Sequence, residues 1–171
     1  GREQLCSNMK FVGSASLFPH VQGMFREYFV MGERQCYPVG GDVSLGELAF
    51  AEPLAVALHT IHRGPDLIGK SVLVTGAGTI GCLTVMAARL AGAASITVSD
   101  ILDRPLAKAR EVGADVTLRA DREGDKLAAP RYDVCYEVSG SFAALKSCVA
   151  AVKKGGVVVQ AGTLPHEPLP F

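Results

Sequence analysis

The segment Ser71-Val-Leu-Val-Thr-Gly-Ala-Gly-Thr-Ile-Gly81 constrains this chain more than any other. A short apolar run ends in Gly76-x-Gly78-x-x-Gly81 and opens, at Thr79, into a helical pattern. A strand, a tight glycine turn and a helix N-terminus together form a receptacle for a pyrophosphate. Gly76 permits the sharp turn, Gly78 lets the backbone approach the phosphates, and Gly81 lets the helix pack closely on the strand. Free N–H groups at the helix start, reinforced by the helix dipole, then face the anion. A glycine triplet alone also suits a plain surface turn. Here an apolar strand precedes it, an amphipathic helix follows, and Asp100 ends the next apolar run, 19 residues beyond Gly81. That is close to the spacing of a ribose-binding carboxylate.

Asp100 also bears on which dinucleotide is bound. A carboxylate there accepts hydrogen bonds from the adenosine-ribose hydroxyls and repels a 2′-phosphate, so it favours NAD over NADP. Arg104, four residues on, can lean on the adenine or offset part of that repulsion. It equally suits a solvated charge in the first turn of a helix. NAD is the expected cofactor, with NADP still open.

Composition excludes several classes. Of 171 residues, 49% are hydrophobic and 20% charged, with 17 Lys+Arg balancing 17 Asp+Glu. No basic run supports nucleic-acid binding, and no uncharged apolar stretch is long enough to span a bilayer. The N-terminal residues do not read as a signal peptide. Five cysteines, at 6, 36, 82, 135 and 148, are odd in number, widely spaced and free of any Cys-x-x-Cys. Reduced thiols in a cytoplasmic protein are the simplest reading. Both ends read as cut: there is no initiator Met, and the chain stops in the Pro-rich run 164–171.

From about residue 66 the pattern alternates strand and helix. Strands are expected at 72–75, 96–99, 116–118, 133–138 and 157–161. Between them lie a helix over 79–91, with Ile80, Leu83, Ala87 and Leu90 on its inner face, a helix capped by Asp103, a charged exposed connection over 121–130, and a helix capped by Ser141 that Gly155-Gly156 ends. Repeated βα units of this length imply an α/β fold with a parallel, doubly wound sheet, five of its six strands present. Residues 23–31, aromatic and β-favouring, read as a strand. Ser44-Leu-Gly-Glu47 fits a capping box. Pro53 predicts a helix break near Glu52, with a second helix to about His62.

Three stretches then fall together: Gly13-Ser-Ala-Ser-Leu-Phe-Pro-His20, Phe50-Ala-Glu-Pro-Leu-Ala-Val-Ala-Leu-His59, and the glycine motif. With them the chain resembles the medium-chain, zinc-dependent alcohol and polyol dehydrogenases. The Glu-Pro-Leu segment narrows the likeness to the polyol branch, and the Phe-x-Gly-Ser-Ala loop before Pro-His narrows it further. The resemblance implies that residues 1–62 are the C-terminal part of a GroES-like, β-rich catalytic domain with its bridging helices. Residues 63–171 would be a truncated NAD-binding Rossmann domain. It gives Glu52 a place on the catalytic Zn2+, directly or through water, and makes Cys6 the last cysteine of a structural zinc lobe. Ile80, Val138, Ser139 and Gly162 match positions lining the cofactor beside the motif glycines. The first catalytic ligands and the other lobe cysteines would lie upstream of Gly1, so an internal piece of a protein roughly twice as long is expected.

By the same resemblance, zinc polarises a small-molecule polyol or sugar-acid substrate and a hydride passes to the nicotinamide. The full-length protein is expected to be a homo-oligomer without nucleic-acid or membrane partners. Without the resemblance, Glu52 suits a surface glutamate and Cys6 a stray thiol. His59 and His62 suit a helix face and a helix end better than a metal pair. His20 suits substrate contact or a solvated loop equally. A non-catalytic NAD-binding module is the reading from a different class.

Overall fold

Five strands, four of them rich in β-branched residues, assemble one sheet in the computed structural model, which describes residues 5–14 and 18–168. They are β1 (Ser71–Thr75), β2 (Ser95–Asp100), β3 (Val116–Arg119), β4 (Tyr132–Glu137) and β5 (Val152–Gln160). The order is β3-β2-β1-β4-β5, and every neighbouring pair is parallel. The central strands are buried on both faces, and β1 shows it in its unbroken apolar run Val72–Val74. This is the doubly wound Rossmann arrangement, and all five strands end on one edge.

The connecting helices are α3 (Thr79–Leu90), α4 (Asp103–Glu111), the short α5 (Ala120–Glu123) and α6 (Phe142–Ala151). Before the sheet come α1 (Leu45–Leu48) and α2 (Ala51–Arg63). Two apolar clusters fill the layers. The larger joins Val72, Val74, Val85, Ala88, Ile96, Val98 and Tyr136, and the smaller joins Leu73, Leu127, Cys135 and Cys148. The three last cysteines are buried among these residues, while Cys6 and Cys36 are exposed.

Contacts divide the chain into two compact units, Gly1–Val43 and Ser44–Phe171. Helices α1 and α2 fall in the second, where α2 lies beside α3. The capping box forms as expected: Ser44 Oγ accepts the Glu47 N–H, and Glu47 Oε2 accepts the Ser44 N–H at 2.8 Å. The break comes at Ala49 and Phe50, slightly before the expected point. Pro53 therefore sits in the first turn of α2, where no N–H is needed.

Several local expectations are corrected. Residues 23–31 form no strand; they are irregular, with Phe25, Tyr28 and Val30 exposed. β propensity needs a paired neighbour, and in this unit the described residues make a single isolated bridge, Val12 to Val21. Asp103 is the first residue of α4 rather than its cap, because its carboxylate is taken by Arg119. Ser141 precedes α6 without a side-chain capping bond. Leu90 is exposed, and the inner face of α3 runs instead through Gly81, Leu83, Thr84, Val85, Ala87 and Ala88. The connection 121–130 is more ordered than expected: α5 and a 3-10 turn, Gly124–Leu127, bury Leu127. Helix α6 ends at Ala151, and β5 begins at once. Val152 pairs with Tyr132, a bulge follows, and regular pairing resumes at Val157 opposite Val134.

Candidate cofactor site

The glycine turn is built by close backbone packing. Gly76 has φ +94°, which excludes ordinary side chains, and a Cβ there would lie 3.0 Å from Ser139. A Cβ on Gly81 would come 2.0 Å from the Gly76 carbonyl oxygen and 3.4 Å from Val138. At Gly78 a Cβ would meet no atom within 4 Å. Gly76 and Gly81 thus serve the fold, and Gly78 opens onto free space at the N-terminus of α3. Thr79 and Ile80 begin that helix, and Gly78 caps it without any side-chain bond to the first N–H groups. Cys82, just inside, is buried; its thiol reaches the Ala77 carbonyl at 3.4 Å, and burial pushes its pKa up.

Asp100, the last residue of β2, is tied to this turn. Its Oδ2 accepts the Ala77 N–H at 2.7 Å, and its Oδ1 accepts the Leu102 N–H at 2.9 Å. Arg104 is exposed on the first turn of α4. The spacing to Asp100 thus reflects a true spatial neighbourhood.

The third wall follows β4. Glu137 is fully buried at the strand's end. Its carboxylate accepts the Ser139 N–H at 2.7 Å, the Gly140 N–H at 3.1 Å and the Ser139 hydroxyl at 2.5 Å. The Gln160 amide donates to its other oxygen at 2.5 Å. The Glu137 carbonyl accepts the N–H groups of Ala161 and Gly162, and a Cβ on Gly162 would lie 2.2 Å from the Gly140 nitrogen. Val138 donates its N–H to the Thr75 carbonyl. Val138, Ser139 and Gly162 are therefore brought together with the glycine turn at one edge of the sheet. Glu137 escaped the sequence reading. An acidic residue closing an apolar strand, two before a Ser-Gly pair, is a signal that could have found it.

These walls enclose a cleft of about 420 Å³ lined by Gly76, Asp100, Ile101, Asp121, Ser139 and Ser147, among others. It fits the adenosine half of a dinucleotide: an acceptor carboxylate, Asp100, small residues along its walls, and Gly76 of the glycine turn among its lining.

The zinc-related residues are not assembled in this way. Glu52 is exposed on the first turn of α2, His59 and His62 are exposed further along it, and Cys6 is exposed in the first unit. Among the described residues no three His, Cys, Asp or Glu side chains converge as metal ligands. The described residues therefore do not by themselves fit a closed zinc shell. His20 lies in the first unit with its ring edge-on to Phe18. Residues 15–17 of its loop lie outside the described residues.

With this geometry in place, the chain belongs to the zinc-binding dehydrogenase family, whose profile matches residues 79–171. It is 40% identical over 163 residues to L-idonate 5-dehydrogenase (NAD(P)(+)) of Escherichia coli K12, covering 94% of this chain and 48% of that protein. Human sorbitol dehydrogenase is 31% identical, over 94% of this chain and 48% of its own length. The crystal structure of the E. coli L-idonate 5-dehydrogenase superposes with a TM-score of 0.91 over 98% of this chain and 49% of that one. A Sinorhizobium meliloti structure with NADP bound superposes with a TM-score of 0.89 at 31% identity. The chain spans about half the length of the curated relatives it matches.

Proposed function

We propose that this chain serves a polyol or sugar-acid dehydrogenase, as part of a longer protein, and holds the NAD(P) that accepts hydride from a secondary alcohol. L-idonate, oxidised to 5-keto-gluconate, is the substrate assigned. The single observation that carries the cofactor reading is the bond between Asp100 and Ala77, which sets a ribose acceptor beside an open pyrophosphate turn. The identity to the E. coli enzyme supports the substrate. When bound, the nicotinamide cofactor supplies the hydride acceptor.

The chain's own residues do the positioning. Backbone N–H groups from Gly78 to Ile80 face the pyrophosphate, Asp100 accepts the ribose hydroxyls, and Arg104 flanks the adenine. Val138, Ser139 and Gly162 border the path along the sheet edge toward the nicotinamide. Glu52 and Cys6 complete zinc sites only with ligands supplied from outside the described residues. The working protein is cytoplasmic and a homo-oligomer on this reading.

The test is to express the longer protein that carries this chain and follow NADH formation with L-idonate, sorbitol and L-threonine. The expected result is turnover that is fastest with L-idonate and is lost in Gly78→Val. Preference for sorbitol or L-threonine would reassign the substrate, and turnover unaffected by Gly78→Val would remove the cofactor site.

A further inference from the structure

Arg119 closes β3 directly opposite Asp100 in the ladder, so the two residues are neighbours at the same sheet edge. A guanidinium there is the obvious partner for a phosphate on the adenosine ribose. Its side chain is only 15% exposed, and both faces of its fork are occupied. Nη1 meets Asp103 Oδ2 at 2.6 Å, while Nε and Nη2 donate to the two oxygens of Asp121 at 2.9 Å each. Asp121 itself lines the cleft together with Asp100. The Arg119 N–H is bonded as well, to Glu123.

We infer that Asp103 and Asp121 clamp Arg119 and thereby decide cofactor choice: the clamp denies a ribose 2′-phosphate its cation, and opening it admits that phosphate. The inference rests on the cofactor reading above and deepens it. Asp100 disfavours a 2′-phosphate by repulsion, and the clamp removes the group that would compensate. The bidentate bond to Asp121 is the stronger arm, because it satisfies two N–H groups in the planar geometry a carboxylate matches. Asp103 is 76% exposed and holds a single nitrogen, so it is the looser arm. Two carboxylates, Asp103 and Asp121, occupy all three guanidinium nitrogens, and a third, Asp100, stands opposite Arg119 in the ladder. Arg122 approaches Asp121 at 3.8 Å from the solvent side and Arg104 is exposed, so neither supplies a fixed cation at the rim.

The experiment uses the longer protein that carries this chain and two small probes, ADP and 2′-phospho-ADP, which differ only in the 2′-phosphate. Affinities come from calorimetry at low and moderate salt. The double variant Asp103→Asn, Asp121→Asn should raise the 2′-phospho-ADP:ADP affinity ratio by about tenfold. Adding Arg119→Gln should abolish that gain. Asp103→Asn alone, at an exposed position, should keep the fold by circular dichroism and give a smaller gain in the same direction, which covers the case of an unfolded double variant. An unchanged ratio in both variants would overturn the clamp. So would a gain that survives Arg119→Gln, since it would then reflect lost negative charge alone. If the unaltered protein binds no ADP, the cofactor reading falls, and this inference with it; ADP binding with an unchanged ratio overturns only the clamp.

Discussion

Gly81 faces Gly76 so closely that a methyl group on the first would sit 2.0 Å from the carbonyl oxygen of the second. The contact is backbone against backbone and has no flexible partner to yield. Gly81→Ala should therefore either push α3 away from β1 or distort the turn, with a loss of about 1–3 kcal/mol in urea unfolding. Wild-type stability in that variant would show that the helix start tolerates displacement.

Gly78 gives the opposite expectation from the same motif. A side chain there meets no protein atom, so Gly78→Val should fold with a circular dichroism spectrum like the parent's. It should nevertheless lose ADP affinity by about tenfold or more, because valine fills the space the phosphates need. Parent-like affinity by calorimetry would move the pyrophosphate elsewhere.

Asp100→Ser should narrow the preference for NAD over NADP by about tenfold, since a serine accepts more weakly and no longer repels a phosphate. The specificity constants for both cofactors in the longer protein are the measurement. A constant ratio would take Asp100 out of the ribose site.

How much of this could be read in advance follows from where each contact lies in the chain. The glycine turn and Asp100 were legible because strand, turn and helix are consecutive and the carboxylate lies one βα unit on. The capping box at Ser44 was legible for the same local reason. Glu137 was not, since its donors at Ser139, Gly140 and Gln160 converge only after two strands pair. Asp103 was misread as a cap because the competing Arg119 arrives from the next strand. Residues 23–31 were misread because propensity alone does not supply a pairing partner.

Glu137→Ala should be among the more destabilising changes in the sheet. It strips a buried acceptor from two N–H groups, a hydroxyl and an amide at once. A loss of about 2–3 kcal/mol is expected from unmet donors alone. Chemical denaturation measures it, and a loss below about 1 kcal/mol would mean that water replaces the carboxylate.

Asp133 gives an acid-range prediction. The Ser71 N–H, then the Ser71 hydroxyl, then Lys153 hold its carboxyl well below the usual carboxylate range. Folding therefore favours its ionised form. That contribution is complete above the unfolded-state pKa of about 3.9 and is lost as pH falls toward the lower folded-state value. Asp133→Asn should flatten the fall of the urea midpoint between about pH 5 and pH 2. An identical slope in parent and variant would show that other carboxylates govern acid unfolding.

The broken start of β5 has a consequence for any strand that pairs beside it. After the single pair Val152–Tyr132, the strand bulges through Lys153, Lys154 and Gly155, with Gly155 at φ +76°, before four regular residues remain at Val157–Gln160. The two lysines are exposed on the margin of the sheet. Any strand that pairs with β5 on the side away from β4, whether from the rest of a longer protein or from a second copy, would find a kinked approach and a regular stretch only four residues long, so its register would have to be set at Val157–Gln160.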